Sequence, residues 1–234
     1  MSELTTASAE SSDENVTGKA QYSLIPDYSA WRCPTYEINS LDDLLQKSEF
    51  ENGIHKVRLK TTTLDILIQG INRPKNNDSL YCLIGLSGAI SNRAVVKSRP
   101  PFFSGRGIAT ELSLPLISIS DPSLSLNETL PLGWYAGNND ERLLLNIISH
   151  IIDKIMSCHD LHPLLFGGSG GGYAALALSH LLSCESTTMA WNAQTSIGKY
   201  VPSHVLHYLD SAFPELSQEI KKAEVLVGQE QRSV

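Results

Sequence analysis

With 234 residues the chain has room for one substantial domain or two small ones, and 41% hydrophobic against 18% charged residues is an ordinary globular balance able to fill a sizeable core. A formal net charge of -7, with no long Lys/Arg stripe to offset it, speaks against nucleic acid as a partner. No run approaches the ~18 apolar residues of a membrane span, and Cys33, Cys82, Cys158 and Cys184 show neither C-x-x-C nor zinc spacing, so the expectation is a reduced, cytoplasmic protein with no membrane span, disulfide framework, metal or cofactor.

Residues 1–20 are rich in Ser, Thr, Glu and Asp and carry few large apolar side chains, the composition of a disordered tail. The rest, 21–234, reads as one domain. Its first part, 21–53, holds Tyr28, Trp31, Pro34 and Tyr36 and a short helical pattern, Leu41 to Leu45, behind the possible cap Ser40; it is expected to be an arm packing on the domain.

Val57–Leu59 and Thr63–Gln69 alternate apolar with polar residues, the period of half-exposed strands, whereas Leu80–Leu86 is a near-continuous apolar run expected to be buried. Residues 93–107, including PPFFSGRG, read as a long loop; Leu116–Ser120 reads as another strand, closing on Asp121-Pro122. After a loop with Trp134 and Tyr135, apolar residues from Leu143 to Ile155 recur at helical spacing. Thr187–Trp191 is a strand ending in Asn192-Ala193-Gln194-Thr195, and two helical patterns follow, around Val205–Phe213 and Leu216–Val227. Strands alternating with helices call for a mainly parallel α/β sheet with helices on both faces, in which ligands bind outside the carboxyl ends of the strands. Four turns are expected there: Ser87-Gly88, Asp121, Ser169 and 192–195.

The stretch from Leu164 to Leu178 carries the chemistry. An apolar strand runs into Gly167-Gly168-Ser169-Gly170-Gly171, a G-x-S-x-G sequence, and then into an Ala/Leu-rich helix. In a nucleophile elbow of this kind the serine sits on a strained strand-to-helix turn, at a helix N-terminus whose unpaired N–H groups favour developing negative charge. The alternative for the same residues is a tightly packed turn or a phosphate cradle, since Gly170-x-Gly172-x-x-Ala175 imitates a dinucleotide fingerprint; that fingerprint, however, belongs on the first strand of its unit. Other candidates carry two readings each. Asp121 either lies near Ser169 or caps its own turn; Trp134 and Tyr135 either stack on a sugar or anchor their loop. Arg106 meets an anion or solvent, and His204, His207 and Asp210 either form a metal-binding face or the polar face of an amphipathic helix.

The elbow, the small-residue turn after an earlier strand and the implied strand order resemble the α/β-hydrolase fold over roughly residues 55–213. GLSGAI, SISDP, GGSGGGYAAL and WNAQTSIGKY together resemble bacterial α/β-hydrolase-like proteins of surface-polysaccharide clusters and of the accessory Sec system, some of which are regarded as O-acyltransferases acting on sugars. The resemblance implies a serine hydrolase or O-acyltransferase working through an acyl-enzyme on Ser169, with a small-molecule or carbohydrate ester as substrate. It places the Gly170 N–H and the Ser87 turn as oxyanion donors; Asp121, from its place at a strand end, is the further candidate catalytic residue. One departure stands out: the fold's order is Ser, then acid, then His, and the residues after Ser169 show one strand and two or three helices, as if the last strands were lacking. His180, 11 residues into the elbow helix, stands about 16 Å along it and is too far to be the base. A non-catalytic binding or assembly protein, with a protein partner at an exposed sheet edge, is therefore the rival expectation.

Overall fold

The computed structural model describes residues 24–72 and 80–230, so the expected tail lies outside the described residues. One sheet is built from β1 (Thr35–Ile38), β2 (Gly53–Arg58), β3 (Thr63–Gln69), β4 (Tyr81–Leu86), β5 (Leu116–Ile119), β6 (His162–Gly168) and β7 (Thr187–Trp191), in the order β1-β2-β3-β5-β4-β6-β7. β3 runs antiparallel to both neighbours and every other pairing is parallel. The helices are α1 (Leu41–Leu45), α2 (Arg93–Val96), α3 (Arg106–Glu111), α4 (Leu144–His159), α5 (Gly170–Leu181), α6 (Pro202–Ala212) and α7 (Pro214–Glu230).

Strand alternation sorts the core into layers. Cys82, Ile84 and Leu86 of β4 face one side of the sheet, where Leu44 of α1, Ile148, Ile151, Ile152 and Ile155 of α4 and Ala174, Ala175 and Leu178 of α5 close over them. Leu83 faces the other side with Ile54, Leu67 and Leu116, under Ala109 of α3 and the arm residues Tyr28 and Trp31. Each such aliphatic side chain contributes about 1.5–3 kcal/mol on burial, which is why the regular Ile spacing of α4 fixes which of its faces turns inward. A third cluster, Leu124, Leu130, Leu132, Trp134 and Tyr208, caps the carboxyl edge and ties α6 to the 122–136 loop.

Three expectations need correction. β3 is not half-exposed: Asp65 is buried, because the arm covers the face that it would have given to water, and the Tyr28 hydroxyl donates to Asp65 Oδ1 at 2.9 Å, while the strand expected at Val57–Leu59 begins at Gly53 and keeps Arg58 exposed. The arm is also more than packing, since β1 joins the sheet parallel to β2; α1 follows with Ser40 as its N-cap, accepting from the Asp43 N–H. The 93–107 loop contains α2 and the start of α3.

The topology selects one place for a site. From β4 the chain passes to β5 on one side, and from β6 to β7 on the other, while β4 and β6 are neighbours. Loops leaving adjacent strands in opposite directions open a crevice at their carboxyl ends. Ser87-Gly88 leaves β4 there and Ser169 leaves β6.

Candidate active site

Ser169 connects β6 to α5 with φ 54° and ψ -121°, and none of the glycines around it has positive φ. A non-glycine residue in this region costs on the order of 1–3 kcal/mol and persists only where its surroundings over-determine it. The glycines serve close approach. A Cβ on Gly168 would enter the Trp191 ring, one on Gly170 would meet Leu132, and one on Gly171 would land on the Leu86 carbonyl and on Ser87. The backbone of the elbow is thus pressed against β7, the 130–135 loop and the Ser87 turn at once, and the strain collects on the one residue with a hydroxyl.

That hydroxyl accepts a hydrogen bond from Gln194 Nε2 at 2.9 Å. Gln194 Oε1 in turn accepts from the Trp134 indole N–H. The segment after β7 is stitched to the elbow by its backbone too, Ser169 N–H to the Trp191 carbonyl at 3.1 Å and Gln194 N–H to the Ser169 carbonyl at 3.4 Å. Among the described residues no imidazole is hydrogen-bonded to Ser169. Gln194 was missed in the sequence because a glutamine after a strand carries no pattern of its own; only the 192–195 turn pointed to its neighbourhood.

The Ser87 turn lies beside the elbow, with Gly88 so close that a Cβ there would stand 2.8 Å from the Gly168 carbonyl oxygen. Ser87 itself is fully engaged: its N–H donates to the Tyr135 hydroxyl at 2.7 Å and its own hydroxyl to the Phe102 carbonyl at 3.1 Å. Tyr135 passes its proton on to the Ile119 carbonyl at 2.8 Å. The Ser87 N–H therefore has no room for an oxyanion, whereas the N–H groups of Gly88 and Ala89 have no acceptor among the described residues, and that of Gly170, at the first helical position, has none within its helix.

Asp121 takes its capping reading. It accepts from the Ser123 N–H at 3.0 Å and the Tyr135 N–H at 2.7 Å and makes no hydrogen bond to Ser169. Complete burial raises its pKa, the two backbone donors opposing the rise. Trp134 and Tyr135 are 0% and 1% exposed, so they anchor their loop and cannot stack on a sugar. Arg93, also buried, donates to the Leu124 and Leu130 carbonyls and holds the same loop from behind; burial brings its pKa down to about 10. Arg106 lines a separate cleft of about 330 Å³ with Asn52, Gln69 and Gly70. His204 lies against the Tyr200 ring, His207 meets the Thr129 hydroxyl at 3.1 Å, and Asp210 pairs with Ser217 and Lys221, so each of the three faces a different partner.

The cleft over Ser169 has a volume of about 370 Å³ and is walled by Leu86, Gly88, Ala89, Ser104, Phe166, Trp191 and Asn192. Trp191, 49% exposed, and Phe166 lie 4.6 Å apart between ring centroids and form its aromatic side. A larger cleft of about 800 Å³ lies at the β1–β2 end, between α1 and residues 139–143, and shares no residue with the strained serine. Chemically, the Ser169 cleft offers a hydroxyl, free backbone donors and an aromatic wall.

No family model matches the chain, and no curated protein matches it. Among solved structures it is similar to the Glycosylation Associate Protein (Gap123) complex from Streptococcus agalactiae, with a TM-score of 0.52 and 14% identity over 73% of this chain and 32% of that one. The chain thus spans about a third of the length of the protein it matches. It is also similar to the capsule O-acetyltransferase of Neisseria meningitidis serogroup A, with a TM-score of 0.48 and 15% identity over 75% of this chain and 66% of that one. Identities this low speak for the fold alone, and the fold is an α/β-hydrolase-like sheet with Ser169 at its elbow.

Proposed function

We propose that Ser169 is the nucleophile of a serine hydrolase or O-acyltransferase acting on a carbohydrate ester. The observation that carries this reading is the backbone of Ser169 itself, a strained conformation kept at the one hydroxyl-bearing residue of a turn otherwise made of glycine. In the reaction the serine oxygen bonds to the acyl carbon, the ester C–O bond breaks, and the alcohol leaves with the serine's proton; water or a sugar hydroxyl then takes the acyl group. The Gly170 N–H and the Gly88–Ala89 turn receive the oxyanion, in place of the expected Ser87. The carbohydrate part of the reading rests on the motifs GLSGAI, SISDP, GGSGGGYAAL and WNAQTSIGKY and agrees with the glycosylation-associated complex whose fold the chain shares. A fluorophosphonate probe tests the proposal: labelling of the intact chain that Ser169→Ala abolishes supports it, and labelling indifferent to that change ends it.

A second reading, a non-catalytic binding or assembly protein, is favoured by the amide that takes the place of an imidazole at Ser169. It is also favoured by the position of β7 at the sheet edge among the described residues, where Met189 is 57% exposed beside Trp191. It expects no Ser169-dependent label and a complex or self-association in light scattering.

A further inference from the structure

We infer that Gln194 is the positioning residue of Ser169, and that Trp134 sets the direction in which it works; the inference rests on the reading of Ser169 as a nucleophile. The direction follows from donor and acceptor chemistry. An indole nitrogen can only donate, and Trp134 is wholly buried, so the atom of Gln194 facing it has to be the carbonyl oxygen. The amide nitrogen is then turned on the Ser169 oxygen, 2.9 Å away, and can only donate to it. A neutral amide neither takes nor supplies a proton near neutral pH, so Gln194 is not a base. It occupies one lone pair of the hydroxyl and leaves the O–H proton and the other lone pair to the cleft.

The same hydrogen bond changes strength along the reaction. To a neutral hydroxyl it is an ordinary bond; as the proton leaves and charge gathers on the oxygen it becomes charge-assisted, roughly twice as strong. A donor that strengthens only as charge develops lowers the barrier rather than merely holding the ground state. The backbone ties of Trp191 and Gln194 to Ser169 keep the amide from drifting off this line, so the arrangement is complete before any ligand enters.

The test uses the whole chain and two readouts. In nitrogen-15 spectra the Trp134 indole resonance is expected to shift in Gln194→Ala, and the Gln194 side-chain amide to shift in Ser169→Ala, with the remaining spectrum folded and little changed. In kinetics, fluorophosphonate bonds to the Ser169 oxygen as fluoride leaves and the hydroxyl proton passes to solvent or base; Gln194→Ala is expected to slow this about tenfold to a hundredfold. Gln194→Glu keeps an oxygen for Trp134 but reverses the bond to Ser169, so its labelling rate should acquire a carboxylate titration that the wild type lacks. Trp134→Phe frees the amide and should fall between wild type and Gln194→Ala. Equal labelling of Gln194→Ala and wild type, or a Gln194 amide unmoved by Ser169→Ala, overturns the inference. A wild type that takes no label while the resonances remain coupled overturns the nucleophile reading and leaves the Trp134–Gln194–Ser169 relay supported.

Discussion

Two serines leave neighbouring strands of the sheet at the same edge, each flanked by glycine, and they are used in opposite ways. Ser87 is in the service of the fold. Its N–H is held by Tyr135 and its hydroxyl by Phe102, and through Tyr135 and Asp121 it ties together the ends of β4 and β5 and the 133–135 loop. Ser169 has a strained backbone and a hydroxyl whose hydrogen-bond partner among the described residues is a side-chain amide. A serine whose N–H and hydroxyl are both paired stabilises; one held in an unfavourable conformation with its hydroxyl proton unspent does not. The difference is set by what stands opposite each turn, an aromatic hydroxyl in one case and an open cleft in the other.

Substitutions can break this contrast in a definite order. The largest effect is expected at Gly171, whose position touches both turns. Gly171→Ala drives a methyl group onto the Leu86 carbonyl and Ser87 and should cost about 3 kcal/mol in chemical denaturation, since backbone cannot give way as a side chain can. Next comes Tyr135→Phe, which orphans the buried Ser87 N–H and Ile119 carbonyl together and should cost about 2 kcal/mol without altering the labelling of Ser169.

The pH dependence of stability sharpens the comparison, because burial raises the pKa of Asp121, the cap after β5, and of Asp65. Burial raises Asp65 from 3.8 to about 7. Between those values the unfolded chain has lost a proton that the folded chain keeps, so Asp65's contribution is complete below its unfolded value and is lost as pH rises through about 7. Asp65→Asn retains an acceptor for Tyr28 and should remove this slope, at most about 1.4 kcal/mol per pH unit, when denaturation midpoints are compared at several pH values. Asp121, raised in the same direction, adds a fall of the same sign in the variant. The smallest effect is a gain: Ser169→Gly should stabilise by about 1 kcal/mol by relieving the positive φ, whereas Ser87→Gly has no strain to relieve and should only lose. Equal and opposite shifts are not expected; destabilisation by Ser169→Gly would remove strain as the mark that separates the two serines.

Periodicity located most of the fold, though it caught β2 only at its end, Val57–Arg58, and read α2 and the start of α3 as loop. β3 and β7 follow the sequence pattern residue for residue, α4 follows its Ile spacing, and α1 starts where Ser40 announces a cap. β1 was illegible because Thr35–Ile38 has no buried face of its own length, becoming a strand through its pairing with β2. Half-exposure of β3 misled for the matching reason: a strand's alternation shows which residues differ, while the arm that covers Asp65 is a long-range contact.

The site divides along the same line. The sequence by itself determined the elbow, because G-x-S-x-G between an apolar run and an Ala-rich helix is local chemistry, and a turn this tight admits few other residues. It also brought Ser87, Asp121, Ser169 and residues 192–195 to one edge, since parallel strands deliver their carboxyl ends together. Tertiary structure alone decided what each group does there. Tyr135 claims the Ser87 N–H, Asp121 is consumed in capping, and Gln194 reaches Ser169 with its amide turned by Trp134, a residue 60 positions earlier in the chain. Hydrogen bonds across such separations obey no spacing in the sequence; they are chosen by which donors and acceptors the packed loops leave face to face.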